Sequence, residues 1–250
     1  MIQAQNVCKE FDGTGVLRGV SITYLPGQAN LIIGKSGSGK TVMLKILAGL
    51  LQPDSGTLLF EGQDISTLTH RERIAIQRQT GMLFQGGALF DSMTVEQNVM
   101  FPLQLHTHQR DRVARLRAAE CLERVDLPKA GHLYPSDLSG GMRKRVAIAR
   151  AIALEPKYLF CDEPNSGLDP QTSLLIDRLI HGITHEFGIT TVVNTHDMNS
   201  VLEIGDRVTF LYEGRAEWSG TGQEVLTANN QLLESFVFAT PLAQRLRAHM

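Results

Sequence analysis

Cysteine is scarce, with only Cys8, Cys121 and Cys161 in 250 residues. They lie too far apart for a zinc ribbon or a Cys-x-x-Cys motif and read as reduced thiols in a reducing compartment. No apolar run approaches the ~18 residues that a bilayer crossing requires. The opening stretch MIQAQNVCKEFDG has no signal-peptide core. The expectation is a soluble, cytosolic chain that needs another protein to anchor it at any membrane. An excess of one charge is also missing, since 24 Lys+Arg against 26 Asp+Glu leave a net charge of −2. Nothing therefore demands a polyanionic partner. Internal repeats and low-complexity linkers are absent. What remains is 42% hydrophobic, 20% charged and 6% aromatic residues, which excludes a disordered or fibrous chain. At roughly 150 residues per domain, the length suits one large domain or two small ones.

The first third reads as strands and tight turns. Residues 16–25 alternate in part and stop at Pro26-Gly27. Ala29 to Ile33 is a short buried strand ending at Gly34, and Lys40 to Leu51 has helical spacing before Pro53. Residues 86–155 read as mainly helical. Within them, 109–125 places Val113, Leu116 and Leu122 on one side, and a further helix runs over about 140–154. The α/β pattern then returns. Tyr158 to Cys161 is a strand, and 170–187 a helix with Ile176, Leu179, Ile180, Ile183 and Phe187 on its apolar stripe. Asp169 suits its cap and Pro170 its first turn. Strand 189–194 leads to His196, and 207–218 is a hairpin turning at Glu213-Gly214. A helical insert in an α/β core is the simplest summary.

Three segments carry chemistry. Gly34-Lys35-Ser36-Gly37-Ser38-Gly39-Lys40-Thr41 fits G-x-x-x-x-G-K-[ST], with a strand before it and a helix after it. Its glycines let successive N–H groups converge on phosphate oxygens, and the helix N-terminus adds its positive end. Lys40 can place charge on the β- and γ-phosphates, and the Thr41 hydroxyl can ligate Mg²⁺. A turn that merely starts a helix has no reason to end in Gly39-Lys40-Thr41. Tyr158 to Glu163 is an apolar strand ending in two carboxylates. Alone this would be an ordinary polar loop. Downstream of a phosphate loop, Asp162 is suited to hold Mg²⁺ through water and Glu163 to polarise an attacking water as general base. Leu138-Ser139-Gly140-Gly141-Met142 opens a helix with a Ser cap and bare glycine amides. It suits a second phosphate site or simply a well-capped helix.

In order and spacing these segments resemble the nucleotide-binding subunit of an ATP-binding cassette (ABC) transporter. Gly34 to Thr41 resembles Walker A, and Gln85 after Phe84 the Q-loop. Leu138 to Met142 resembles the LSGGQ signature, with Met142 where Gln is usual. Tyr158 to Glu163 resembles Walker B plus the catalytic glutamate, Ser166 to Asp169 the D-loop, and His196 the switch histidine. The resemblance implies an α/β fold, a P-loop NTPase (RecA-like) core with an antiparallel β part and an inserted helical signature subdomain. The ATPase domain would span 1–238, with the insert over about 86–155 and a C-terminal extension over 239–250. The implied activity is hydrolysis of ATP with Mg²⁺, in a head-to-tail dimer that closes on two ATP and drives a membrane permease.

The implied catalytic residues are Glu163, His196 and Gln85, and the implied metal ligands Thr41, Gln85 and Asp162. Nucleotide contacts fall to Phe11, stacked on adenine, to Gly34 through Val42, and in trans to Ser139, Gly140, Gly141 and Asp169. Phe11 is equally suited to a core. His181 and His185, at i and i+4, lack the Glu of H-E-x-x-H and read as an exposed helix face.

The stretch Gly81 to Val99, above all Gly87-Ala88-Leu89-Phe90, resembles the ATPase of bacterial MCE-type phospholipid transporters. So do Met142 and Phe236 to Pro241. This implies a permease partner, a second copy of the chain, an MCE-type substrate-binding subunit, and a peripheral place on the cytoplasmic face of the inner membrane. Residues 220–250 are long enough for an arm to a partner, and Ala88, Leu89 and Phe90 suit either a permease groove or core packing. Two rival readings are an amino-acid or methionine importer and a non-transport ABC ATPase acting on ribosomes or DNA. Lys40 and Asp162 are only 122 residues apart, with no room for a coiled coil, and the charge balance disfavours a nucleic-acid face.

Overall fold

In this computed structural model, residues 1–107 and 109–239 are described. The chain opens with a long antiparallel pair, β1 (Ile2–Phe11) and β2 (Thr14–Tyr24), before β3 (Gln28–Ile33) and α1 (Lys40–Leu47). Next come β4 (Ser55–Phe60), β5 (Gln63–Asp64), α2 (His70–Gln77) and β6 (Thr80–Leu83). Three helices follow, α3 (Val95–His106), α4 (Asp111–Arg124) and α5 (Gly140–Ile152). The remainder alternates: β7 (Tyr158–Asp162), α6 (Pro170–Phe187), β8 (Thr190–Asn194), α7 (Met198–Ile204), β9 (Arg207–Tyr212), β10 (Arg215–Gly220) and α8 (Gln231–Val237).

Two sheets result. One is antiparallel, in the order β2-β1-β4-β5, and the other has the order β10-β9-β3-β8-β7-β6. Strands β9, β3, β8, β7 and β6 run parallel, and β10 is an antiparallel edge. Side chains alternate across the larger sheet because a strand has a period of two. Leu31, Ile33, Leu159, Cys161 and Val193 face a core shared with α3 to α6. Ile32, Tyr158, Phe160 and Val192 face a second core, closed by α1 and the antiparallel sheet. The α/β architecture expected from the sequence is thus present, and the helical segment 95–152 shares its core with the larger sheet.

Several local expectations need correction. Helix α1 ends at Leu47 rather than Leu51, leaving Leu50 exposed. On α4 the buried stripe is Ala114, Ala118, Cys121 and Leu122, while Val113 and Leu116 point outward. Small residues line that face because α4 packs closely on α3 and α5, so apolar size misidentified the buried side. On α6, Ile176, Ile180 and Ile183 are buried, but Phe187 is exposed beneath the Arg124 guanidinium, 4.5 Å from its ring centre. Helix α2 was not expected, and α3 falls within the 86–155 stretch expected to be mainly helical; each starts with a capping box, Thr69/Glu72 and Thr94/Gln97. The segment from Thr221 to Phe238 is no free arm. Val225, Leu233, Val237 and Phe238 are buried, and Phe236 lies 5.4 Å from Phe210 between ring centres. Truncation at Gly220 would therefore remove core residues. The extension proposed for 239–250 lies outside the described residues except for Ala239.

Candidate functional site

The motif residues gather because their strands are neighbours. The phosphate loop follows β3, Thr195-His196 follows β8, Asp162-Glu163 closes β7 and Gln85 follows β6, and these four strands are consecutive in the sheet. All four carboxyl ends point one way, where parallel α/β sheets bind ligands.

The loop itself is tightly folded. Gly34 has φ +150°, and a Cβ there would stand 2.2 Å from the Leu211 carbonyl oxygen, so no other residue fits without moving β9. Lys40 is buried at 8% exposure, and its Nζ donates to the carbonyls of Gly34 at 2.8 Å and Lys35 at 3.1 Å. An ammonium has three donors, which leaves one for a phosphate oxygen. Burial lowers the Lys40 pKa, opposed by the negative charges of Glu163 and Asp162. The Ser38 hydroxyl is buried without a hydrogen-bond partner among the described residues. Such an orphan is costly unless a ligand supplies the bond. Lys35, Ser36 and Gly37 form the open rim of the loop, and Val42 follows Thr41 in the first turn of α1.

Thr41 Oγ1 donates to Asp162 Oδ1 at 3.2 Å, so the two oxygens expected around Mg²⁺ already meet. Asn194 Nδ2 donates to the same carboxylate oxygen at 3.2 Å, while its own Oδ1 is buried and has no partner among the described residues. This donor set of hydroxyl and carboxylate oxygens suits a hard cation. Gln85 Nε2 donates to Ser166 Oγ at 3.1 Å. Glu163 Oε2 lies 2.8 Å from His196 Nδ1, with the imidazole 68% exposed and the carboxylate 16%. Glu163 has φ +48°, a costly conformation for a side-chain-bearing residue, held by its N–H donating to Asn194 O at 3.0 Å. Strain here aims the carboxylate out of the strand end.

The signature segment stands apart. Ser139 caps α5, its Oγ accepting from Met142 N at 3.2 Å. Gly141 packs against α6, where a Cβ would come within 2.6 Å of Thr172 Cγ2, and a Cβ on Gly140 would sit 3.4 Å from Leu168. Asp169 is spent on capping α6, accepting from Gln171 N, Thr172 N and Thr172 Oγ1. Phe11 ends β1 at 44% exposure, with Lys9 Nζ 5.4 Å from its ring centre, and so is not a core aromatic.

Sequence reasoning missed the residues that connect these parts. Lys144, buried on α5, donates to the Gln85 carbonyl, and Arg150 donates to Gly87 O at 2.8 Å and Ala88 O at 2.7 Å. Asn98, fully buried, bonds Phe90 N and O, Met93 O and Thr94 O. Asn194 was legible as the polar end of an apolar strand. The others carried no local signal.

Asn165 Nδ2 reaches Asp177 Oδ1 at 2.8 Å and Ser200 Oγ at 3.1 Å behind the loop that follows Glu163. Burial pushes the Asp177 carboxyl up to about 6, against the pull of its Ser200 and Asn165 hydrogen bonds. A carboxyl with a raised folded-state pKa favours the fold below its unfolded value and loses that contribution as pH rises through about 6. Asp177→Asn is therefore expected to raise the melting temperature at pH 7.5 by several degrees, roughly 2–3 kcal/mol. The gain should vanish below pH 4 in a pH series of thermal melts.

A family model described as "ABC transporter" matches residues 17–166. An intermembrane phospholipid transport system ATP-binding protein, MlaF of Haemophilus influenzae, is 36% identical over 95% of this chain and 90% of that protein. The methionine import ATP-binding protein MetN of Caulobacter vibrioides is 41% identical over 90% of this chain and 68% of that protein. Among solved structures, the dimeric post-hydrolysis state of the ATP-binding cassette MJ0796 bound to ADP and Pi superposes with a TM-score of 0.80 at 33% identity. It covers 88% of this chain and 98% of the cassette. With its phosphate loop, acidic strand end and cassette fold, this chain belongs to the ABC transporter family as an ATP-hydrolysing subunit.

Proposed function

We propose that the chain powers a phospholipid transporter of the MCE type. The observation that carries this reading is the similarity to MlaF over nearly the full length of both chains. Ala88 and Phe90 are exposed, while Leu89 packs on the core from the same loop. The Arg150 clamp and Asn98 hold that loop in shape. An ordered apolar surface of this kind suits a permease docking face. The partners proposed are two permease subunits, a second copy of the chain and an MCE-type subunit, at the cytoplasmic face of the inner membrane.

In the proposed cycle two copies meet head to tail, and residues 34–42 of each wrap the phosphates of one ATP. Phe11 offers its exposed ring to adenine. Lys40 neutralises β- and γ-phosphate charge, and Thr41, Asp162 and Gln85 would hold Mg²⁺. When bound, the metal would supply positive charge that offsets the negative charge of the phosphates. Ser139, Gly140 and Gly141 of one copy offer the α5 N-terminus to the γ-phosphate of the other. Asp169 orders the turn that faces the dimer axis through its cap. Glu163 accepts a proton from the attacking water, and His196, bonded to Glu163, holds the γ-phosphate and the water in line. The helical segment 86–155 acts as a subdomain that moves with nucleotide.

A second reading, the methionine importer, is favoured by the higher identity to MetN. Purification of the Glu163→Gln chain from detergent-solubilised native membranes separates the two. Mass spectrometry is expected to find a permease, an MCE protein and phospholipid. An importer permease with a solute-binding protein would overturn the lipid assignment while leaving the ATPase intact.

A further inference from the structure

At the far end of the larger sheet from the phosphate loop, two histidines and a carboxylate converge. His181 and His185 occupy one face of the last turns of α6, and Asp206 immediately precedes β9. His185 Nε2 lies 3.0 Å from His181 Nε2 and 3.0 Å from Asp206 Oδ2, and His181 Nε2 lies 3.6 Å from Asp206 Oδ1. We propose that these three side chains bind a zinc ion.

Proton counting supports this. A neutral imidazole carries one N–H and one lone pair on different nitrogens. If His185 Nε2 holds the proton, it donates to Asp206 and has no lone pair to offer His181. If it lacks the proton, its lone pair faces the carboxylate. With neutral rings, no placement of protons makes hydrogen bonds of both 3.0 Å contacts on His185 Nε2. A shared cation satisfies all three atoms at once. Zinc bonds of about 2.0–2.2 Å in tetrahedral array put neighbouring ligand atoms about 3.3–3.6 Å apart. The two separations that share His185 Nε2, 3.0 Å to His181 Nε2 and 3.0 Å to Asp206 Oδ2, fall slightly inside that edge, and the second carboxylate oxygen, Oδ1, lies 3.6 Å from His181 Nε2.

The surroundings agree with the same ion. Asp206 Oδ2 also accepts the Ala29 N–H at 2.8 Å, the outer bond that commonly orients a ligating carboxylate. The α6 C-terminus adds the negative end of its dipole, which favours a cation. Two imidazoles among three donors favour zinc over magnesium, whose preferred ligands are all oxygen. Side-chain exposures of 35%, 45% and 27% leave room for a water as fourth ligand and let the ion enter without opening the fold. Bound zinc would pin the end of α6 to the start of β9 and, through Asp206, to β3.

Tag-free full-length protein, stripped with chelator, tests the site by titration with Co²⁺ and then Zn²⁺. One Co²⁺ per chain is expected, with the strong visible bands of a four-coordinate nitrogen–oxygen site and no thiolate charge-transfer band. Zinc should displace it. His185→Gln and Asp206→Asn should each weaken zinc binding by at least roughly 10–100-fold, the loss that even an outer-shell partner causes, with folding checked by circular dichroism. Asp162→Asn should leave binding unchanged, which separates this site from the nucleotide site. Equal zinc binding by wild type and both variants, a six-coordinate cobalt spectrum, or no saturable binding would each overturn the proposal.

Discussion

Glu163→Gln is expected to lower ATP turnover by roughly 10²–10⁴-fold, the usual contribution of a positioned general base. ATP affinity should hardly change. The carboxamide is isosteric, the phosphate loop keeps its Lys40 bonds, and Thr41 and Asp162 remain paired. The amide can still bond His196 Nδ1, where the carboxylate now lies at 2.8 Å, so the ring keeps a partner. What disappears is the capacity to take a proton from water. Since hydrolysis ends the closed state, the variant should accumulate as an ATP-bound dimer. Phosphate release and size-exclusion chromatography with ATP check both halves. A wild-type rate would remove Glu163 from its assigned role.

Lys40→Ala is expected to do the opposite to binding. A charge-assisted hydrogen bond contributes about 1.5–3 kcal/mol, so ATP affinity should fall roughly 10–100-fold. Turnover should fall further, by at least about 10²–10³-fold, because the charge on the leaving phosphate develops in the transition state. The fold should suffer less than the burial of Lys40 suggests. Its pKa is lowered mainly by burial, so the folded protein holds this cation at a cost that removal relieves. Thermal melts without nucleotide should therefore shift little, while the stabilisation conferred by ATP should be lost. A variant that melts early but retains its ATP-induced shift would make Lys40 structural.

The site was legible wherever one backbone device and one charge sit in a contiguous run, as from Gly34 to Thr41 or from Tyr158 to Glu163. Local sequence also yielded α6 at its observed limits, because Asp169, Pro170 and Gly188 punctuate it. It failed on α4, where the buried face carries Ala114 and Ala118 and the larger Val113 and Leu116 are left outside. It could not reveal Lys144, Arg150 or Asn98, whose partners lie 59 residues away for Lys144 and 62 for one Arg150 bond, and up to eight for Asn98. Nor could it join His181 and His185 to Asp206, which only the approach of β9 to α6 brings together. Side-chain bonds to carbonyls of distant loops leave no periodicity to read.

Helix α5 carries a mechanical consequence. Its first turn presents Ser139 and the two glycines, while Lys144 and Arg150 farther along hold the loop from Gln85 to Ala88. A helix of 13 residues is a rod of about 20 Å with little bending compliance. Tilting one end must tilt the other, with no slack between them. Under the proposed assembly, phosphate engagement at α5 and movement of the proposed docking loop would then be synchronous rather than successive, and a load applied at the permease would be felt at the nucleotide without delay.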